Sequence, residues 1–194
     1  MTKDIKKKIL NAAMKVVSRE KISGTRMYMI AEEAKMSQGN LHYHFATKND
    51  IMISLLDEVQ EKFSTLRKNY IDLKNKDSKE NIKGLFEQKK DEIMNRKELE
   101  YIQFDYWVQG TVNEEIRKKF QDTFNIWRTN VDEILDKSES IEKVDNKLKD
   151  MLPFIMVSLM LGGSLQYLID EGKFDLEEYF DAAEELIFDE IFQK

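Results

Sequence analysis

Apolar residues recur at three- and four-residue spacing along nearly the whole chain, with polar residues between them. Ile5, Ile9, Ala12, Ala13, Val16 and Val17 mark a first amphipathic helix, with Lys6, Lys7, Lys8 and Lys15 outside, Thr2 as its cap and Gly24 at its close. Ile30, Ala31 and Ala34 mark the inner face of a short helix from about Arg26 to Lys35, with Thr25 as N-cap. Met36 then plugs a turn, and Ser37 caps a third helix beginning at Gln38. Leu41 and Phe45, four residues apart, pin that helix against the second, so the pattern is a helix-turn-helix. Thr47 to Asp50 reads as a capping box that opens a long helix. Its buried face is Ile51, Leu55, Val59, Phe63 and Leu66, continuing to at least Ile71.

Beyond it, the polar stretch 72–84 reads as a loop or mobile corner. Leu85, Phe86, Ile93 and Met94 suggest a further helix, and Leu99 to Val108 carries the densest aromatic cluster. Ile116, Phe120, Phe124, Trp127, Val131 and Ile134 keep helical spacing from about Asn113 to Lys137. After a second polar break at 137–147, Phe154 to Leu161 has the composition of a buried strand. The helical flanks and the lack of any other strand candidate favour a buried helix, with Pro153 near its first turn or kinking it. Gly162-Gly163 would let another helix approach closely. Asp175 to Glu178 resembles a capping box for a last helix with Leu176, Phe180, Ala183, Ile187 and Ile191 on one face.

Seven glycines and one proline leave little punctuation, so the fold expected is all-α with about nine helices. A three-helix helix-turn-helix head occupies 1–48. A helical bundle for ligand binding and dimerisation occupies 49–194, with the helix after Thr47 as the mechanical link between them.

Charge sharpens this division. Residues 1–50 hold ten lysines and arginines against five carboxylates, while the whole chain is at −6, so the remainder carries −11. A basic head on an acidic body suits a protein that touches phosphate at one end only. There are no cysteines, which excludes disulfides and thiolate metal sites. The first ten residues contain four lysines and no apolar leader core, and the longest apolar run is too short to cross a bilayer. A cytoplasmic protein without membrane partners is expected. Nothing in the residues calls for a cofactor or a metal. No nucleophile–base set, metal-spaced cluster or phosphate loop argues for an enzyme.

The third helix leaves Gln38, Asn40, His42, Tyr43 and His44 on its outer face, a short row of hydrogen-bonding side chains suited to a major groove. Gly39 in mid-helix is unfavourable by roughly 1 kcal/mol, which close approach to a partner would explain. The plainer reading of the same residues is a short polar surface helix. For His42 it is a neutral donor or a packing residue rather than a pH-sensitive contact.

Thr25, Ile30-Ala31, Ala34, Met36-Ser37, Gly39, Leu41, Tyr43-His44-Phe45 and Lys48 together resemble the signature of the TetR family of bacterial transcriptional regulators. The resemblance implies that Gln38, Gly39, Asn40 and Tyr43 meet bases and that Thr25, His44 and Lys48 meet the DNA backbone, with Ser37 at the helix start among the contacts. Arg26 stands where a small hydroxyl residue is usual and could add a phosphate contact. Lys35 replaces the usual turn glycine, and His42 the usual tyrosine.

In the body, aromatic stripes are first of all core, but a bundle lined by them can leave a ligand cavity. Tyr101, Phe104, Asp105, Trp107, Phe124, Trp127, Met156 and Met160 are the candidate lining. Asp105 is either a counter-charge for a cationic ligand or simply solvated. The two terminal helices have wide apolar faces that suit a subunit interface, with Leu159, Gly163, Gln166, Phe180, Ala183, Ile187 and Ile191 as its candidates. The resemblance implies a four-helix bundle between two protomers. The function expected is a homodimeric repressor that leaves a palindromic double-stranded operator when a small lipophilic or aromatic effector binds. The alternative is a small-molecule binding protein without specific DNA binding.

Overall fold

A computed structural model describes residues 2–192, with no side-chain description for Thr2, Lys3 and 190–192. The cap expected of Thr2 and the interface role expected of Ile191 therefore lie outside the described residues. Among those described, every regular element is helical: α1 (Thr2–Gly24), α2 (Met27–Glu33), α3 (Gln38–His44), α4 (Lys48–Arg67), α5 (Ser78–Asn95), α6 (Lys97–Gly110), α7 (Glu114–Leu135), a 3₁₀ turn (Glu139–Lys143), α8 (Asn146–Ile169) and α9 (Leu176–Phe192). The all-α expectation is met. The chain divides into two compact units, one of Met1–Phe63 with Glu98–Gln121, the other of Ser64–Lys97 with Asp122–Lys194.

In the first unit α1 packs on α2 and α2 on α3. Ile9, Ala12, Ala13, Val16 and Val17 are buried, as their spacing foretold. So are Ile30, Ala31, Ala34, Leu41 and Phe45. The helix α1 does not simply stop at Gly24. Lys21 takes φ 59° and ψ 168°, which breaks the helix three residues earlier. The Thr47–Asp50 capping box forms reciprocally: the Thr47 N–H donates to Asp50 Oδ2 at 2.8 Å and the Asp50 N–H to Thr47 Oγ1 at 3.1 Å. From there Ile51, Leu55, Val59 and Phe63 are buried along α4, which ends at Arg67, short of Ile71. Tyr106 of α6 is fully buried, and its hydroxyl donates to the Met52 carbonyl at 2.7 Å, tying α6 to α4. Burial pushes that hydroxyl well above the usual phenol range, so it stays a donor.

In the second unit the polar stretch read as a loop is half helix. Asp77 caps α5 in a complete box with Glu80, so the helix starts at Ser78 and Gly84 lies inside it. A Cβ at Gly84 would fall 2.5 Å from the Tyr70 carbonyl oxygen, which explains a glycine there. The remaining turn is fastened by Asn81, fully buried, whose amide donates to the Lys76 and Asp77 carbonyls and whose Oδ1 accepts the Asp72 N–H.

Helix α5 packs on α8 and α9, and α9 also packs on α8 and the 3₁₀ turn. Phe154 to Leu161 is helical, as favoured, and Pro153 sits inside α8 beyond its first turn. Gly163 does permit a close approach, but to α9 of the same chain: a Cβ there would lie 2.4 Å from the Tyr179 ring. The helix α8 is long and apolar enough to cross a membrane by length and composition. It buries Leu152, Met156, Val157 and Leu168 on one face within its own unit.

Candidate nucleic-acid interface

The reading helix is built by local chemistry. Ser37 takes an extended backbone, and its hydroxyl accepts the Asn40 N–H at 3.2 Å, the N-cap expected. At the other end the Phe45 N–H donates to the Leu41 carbonyl, and Leu41 and Phe45 are buried beneath the helix. The turn before α3 runs through Lys35 at φ 51°, the left-handed region that glycine occupies freely. Lysine at a glycine-favouring position is thus a conformational departure as well as a chemical one.

This scaffold leaves Ser37, Gln38, Gly39, Asn40, His42 and Tyr43 exposed together, with His44 half-buried. Tyr43 is 84% exposed and stands edge-on to the His44 ring. His42 differs, because its Nδ1 lies 3.1 Å from the Ala46 carbonyl. Since a carbonyl only accepts, that nitrogen carries the proton and the ring is tethered to the backbone. A Cβ at Gly39 would meet nothing within 4 Å, so the chain itself gives no steric reason for glycine at this place.

Flanking residues depart from expectation. Thr25 is not the N-cap of α2. Arg26 occupies that position without a side-chain cap, while Thr25 is fully buried and its hydroxyl donates to the Lys21 carbonyl at 2.7 Å. The reason is the break at Lys21, which exposes a carbonyl that Thr25 satisfies. Arg26 is exposed and donates to the Ser23 and Thr25 carbonyls, closing the end of α1. The Lys48 ammonium donates to the Ile22 carbonyl. Burial and the nearby Arg26 guanidinium hold it below the usual lysine range, with Asp105 pulling the other way. Sequence reading missed Tyr28, 50% exposed on α2 just after Arg26. Its place off the Ile30–Ala31–Ala34 face was the available signal.

The candidate ligand lining falls in both units. Asp105 accepts the Ile22 N–H, and Tyr101 lies under the Lys21 ammonium, so both turn to the end of α1. Phe104 and Trp107 meet edge to face, and Trp107 meets Phe120. In the second unit Phe124 and Trp127 form another edge-to-face pair, Met156 is fully buried and Met160 half-buried.

The candidate interface residues differ in exposure. Gly163, Phe180, Ala183 and Ile187 are buried within the chain's own second unit, so they cannot also offer an open face. Leu159 is half-buried and Gln166 exposed. The open apolar face of α8 is instead Met151, Phe154, Ile155, Leu165 and Ile169, all exposed at helical spacing.

Residues 9–55 match the family model described as bacterial regulatory proteins, tetR family. No curated protein matches the chain. Among solved structures, a putative transcriptional regulator from Saccharomonospora viridis in complex with choline aligns at a TM-score of 0.81 and 20% identity, covering 95% of this chain and 96% of that one. A TetR transcription regulator from Haloarcula marismortui aligns at 0.79 and 15% identity, covering 97% of both chains. The transcriptional regulator FadR from Bacillus subtilis, in complex with stearoyl-CoA, aligns at 0.75 and 20% identity, covering 93% of this chain and 96% of that one. Residues 9–55 therefore carry the sequence pattern of the tetR family of bacterial regulatory proteins, and the chain has the fold of these solved transcriptional regulators over nearly all of its length.

Proposed function

We propose that this protein is a homodimeric transcriptional repressor of the cytoplasm, whose α3 helices read the two half-sites of a palindromic operator and whose body binds a small lipophilic or aromatic effector that releases DNA. The observation that carries this reading is the helix α3 itself. A capped, core-anchored helix presents Gln38, Gly39, Asn40 and Tyr43 to solvent inside a family-matched segment, and no intramolecular contact accounts for the glycine. Tyr28, Arg26 and Ser37 border that row and join it as contacts. Lys48 and His44 serve the backbone, and Thr25 acts by fixing the end of α1 rather than by touching phosphate.

Two-fold symmetry makes the operator palindromic, with half-sites about 34–36 Å or a multiple apart. The exposed stripe Met151, Phe154, Ile155, Leu165 and Ile169 is the face we assign to the partner protomer, since a contiguous apolar face needs a cover. An effector with an apolar part is supported by the aromatic pair of Phe124 and Trp127 on α7 and by the relative crystallised with stearoyl-CoA. Control requires differential affinity: a 100-fold preference of the effector for the released conformer supplies about 2.7 kcal/mol of coupling.

The test is selection of duplexes from a random library by the purified protein at about 0.15 M salt, followed by a salt titration of the enriched sequence. A palindrome bound with steep salt dependence is expected. Dimeric protein that enriches no sequence, alone or with cell extract added, would overturn the repressor reading.

A further inference from the structure

Beside the reading helix, α1 and the end of α2 enclose an open groove of about 490 Å³. One wall is a single face of α1, where Asp4, Lys7, Lys8, Asn11 and Lys15 follow one another at helical spacing. The other is Glu33 and the turn residue Lys35. Its floor is kept low by Ala12 and Ala34, both buried and too small to fill it.

The charges in this groove are not balanced by one another. Glu33 is bound by Lys15 at 3.3 Å and by Arg19 at 3.2 Å, and these contacts hold its carboxyl below the usual range. Its charge is thereby spent. Lys7, Lys8 and Lys35 make no ion pair or side-chain hydrogen bond among the described residues, although they border one concavity. With Lys15 they set four cations against the two carboxylates Asp4 and Glu33, so the groove is net positive and its like charges repel one another. An anion would relieve that repulsion.

Position identifies the kind of anion. Lys35 immediately precedes the Met36–Ser37 entry to α3, so the groove flanks the end of α3 that presents Gln38, Gly39 and Asn40. From the same stretch of α1, Lys6 reaches over the ring of Phe45 at the other end of α3. The basic half of α1 therefore runs beside the reading helix, and sugar-phosphate backbone borders any major groove that such a helix enters.

We propose that the Lys7–Lys8–Lys35 groove is a second, sequence-independent DNA contact that takes backbone phosphates next to the bases read by α3. The proposal rests on the DNA-reading assignment of α3 but concerns residues outside it. It adds affinity and salt dependence to binding without adding base preference.

The test compares the full-length protein with K7Q/K8Q/K35Q, K7R/K8R/K35R and Y43A, measuring affinity for the enriched duplex and for a scrambled one across a salt series. The glutamine variant is expected to lose about 2.7 from the slope of log affinity against log salt, at about 0.9 per phosphate contact, on both duplexes alike. Its preference for the enriched duplex should be unchanged, and the arginine variant should keep the wild-type slope. A glutamine variant with native circular dichroism and a wild-type slope overturns the proposal, as does wild-type protein with no salt-dependent duplex binding. Should Y43A keep the full preference while the glutamine variant loses slope, the groove stands and the assignment of α3 falls.

Discussion

The Asp105 carboxylate of α6 accepts the backbone N–H of Ile22 at 2.5 Å. That N–H directly follows the break at Lys21, where the regular helical backbone is interrupted. On the other side of the same residue, the Ile22 carbonyl accepts the Lys48 ammonium from the first turn of α4. One residue at the frayed end of α1 is thus held from two helices distant in sequence, and it is buried.

Removing the carboxylate should therefore act on stability. Asp105→Ala leaves a buried N–H unpaired and is expected to cost about 1–3 kcal/mol. Asp105→Asn keeps an acceptor oxygen and should cost less than half as much. Urea unfolding of both variants measures this. Equal losses would mean that the carboxylate's charge, rather than its hydrogen bond, matters at this place.

Backbone strain predicts gains elsewhere. Lys21 and Lys35 are the two non-glycine residues at positive φ among those described. Glycine at either site removes a left-handed penalty of about 1–2 kcal/mol and pays roughly half of it back in chain entropy. Lys21→Gly and Lys35→Gly should each raise stability by about 0.5–1 kcal/mol, read as a higher urea midpoint at unchanged slope. A lower midpoint for Lys21→Gly would show that the contacts of its ammonium with the Ser18 carbonyl and the Tyr101 ring outweigh the strain.

Tyr43→Ala should separate recognition from folding. The ring is almost wholly exposed, so stability should move by less than about 0.5 kcal/mol. Loss of a base contact is worth about 1–3 kcal/mol, so affinity for the selected duplex should fall roughly 5- to 150-fold with little change for a scrambled one. Equal losses on both duplexes would move Tyr43 from bases to backbone.

What could be read without coordinates follows the range of the interactions involved. Ser37 capping Asn40 and Thr47 pairing with Asp50 act across three residues, and both were legible from residue type and spacing. The start of α5 was equally local, yet the Asp77–Glu80 box was hidden in a polar stretch, 72–84, that closes on Gly84. Only its close approach to Tyr70 explains that glycine. Asp105 was beyond reach, because its partner Ile22 is presented by a break in α1 that no apolar period announces. Thr25 was misread as a cap for the same reason.

Acid should reveal a cost carried by Glu184. Burial is the main cause that raises its carboxyl above the usual range, with Asp181 and Glu87 adding to it and Lys83 opposing. A carboxylic acid with a raised folded pKa binds its proton more readily in the folded state. It therefore subtracts stability above that pKa, and the subtraction disappears as pH falls below the unfolded value. Glu184→Gln should raise the melting temperature at pH 7, with the gain shrinking toward nothing below about pH 4. A gain that persists unchanged in acid would point to packing rather than charge.

The two terminal helices offer the sharpest separation of fold from assembly. Periodicity shows that α8 and α9 are apolar but not which apolar face is already taken. Ile187, first read as an interface residue, is 5% exposed within its own chain, whereas Phe154 is 48% exposed. A buried aspartate at Ile187 has no counter-charge and should unfold the second unit, at a cost above about 3 kcal/mol. Phe154→Asp meets water in the monomer and gives up there only the Arg128 guanidinium over its ring at 4.7 Å, so most of its cost should appear when two protomers close. Sedimentation velocity should then show a folded monomer for Phe154→Asp with native helical circular dichroism, and reduced helicity for Ile187→Asp. Dimer retained in Phe154→Asp, with Ile155→Asp behaving likewise, would show that the subunit contact lies elsewhere than on the open face of α8.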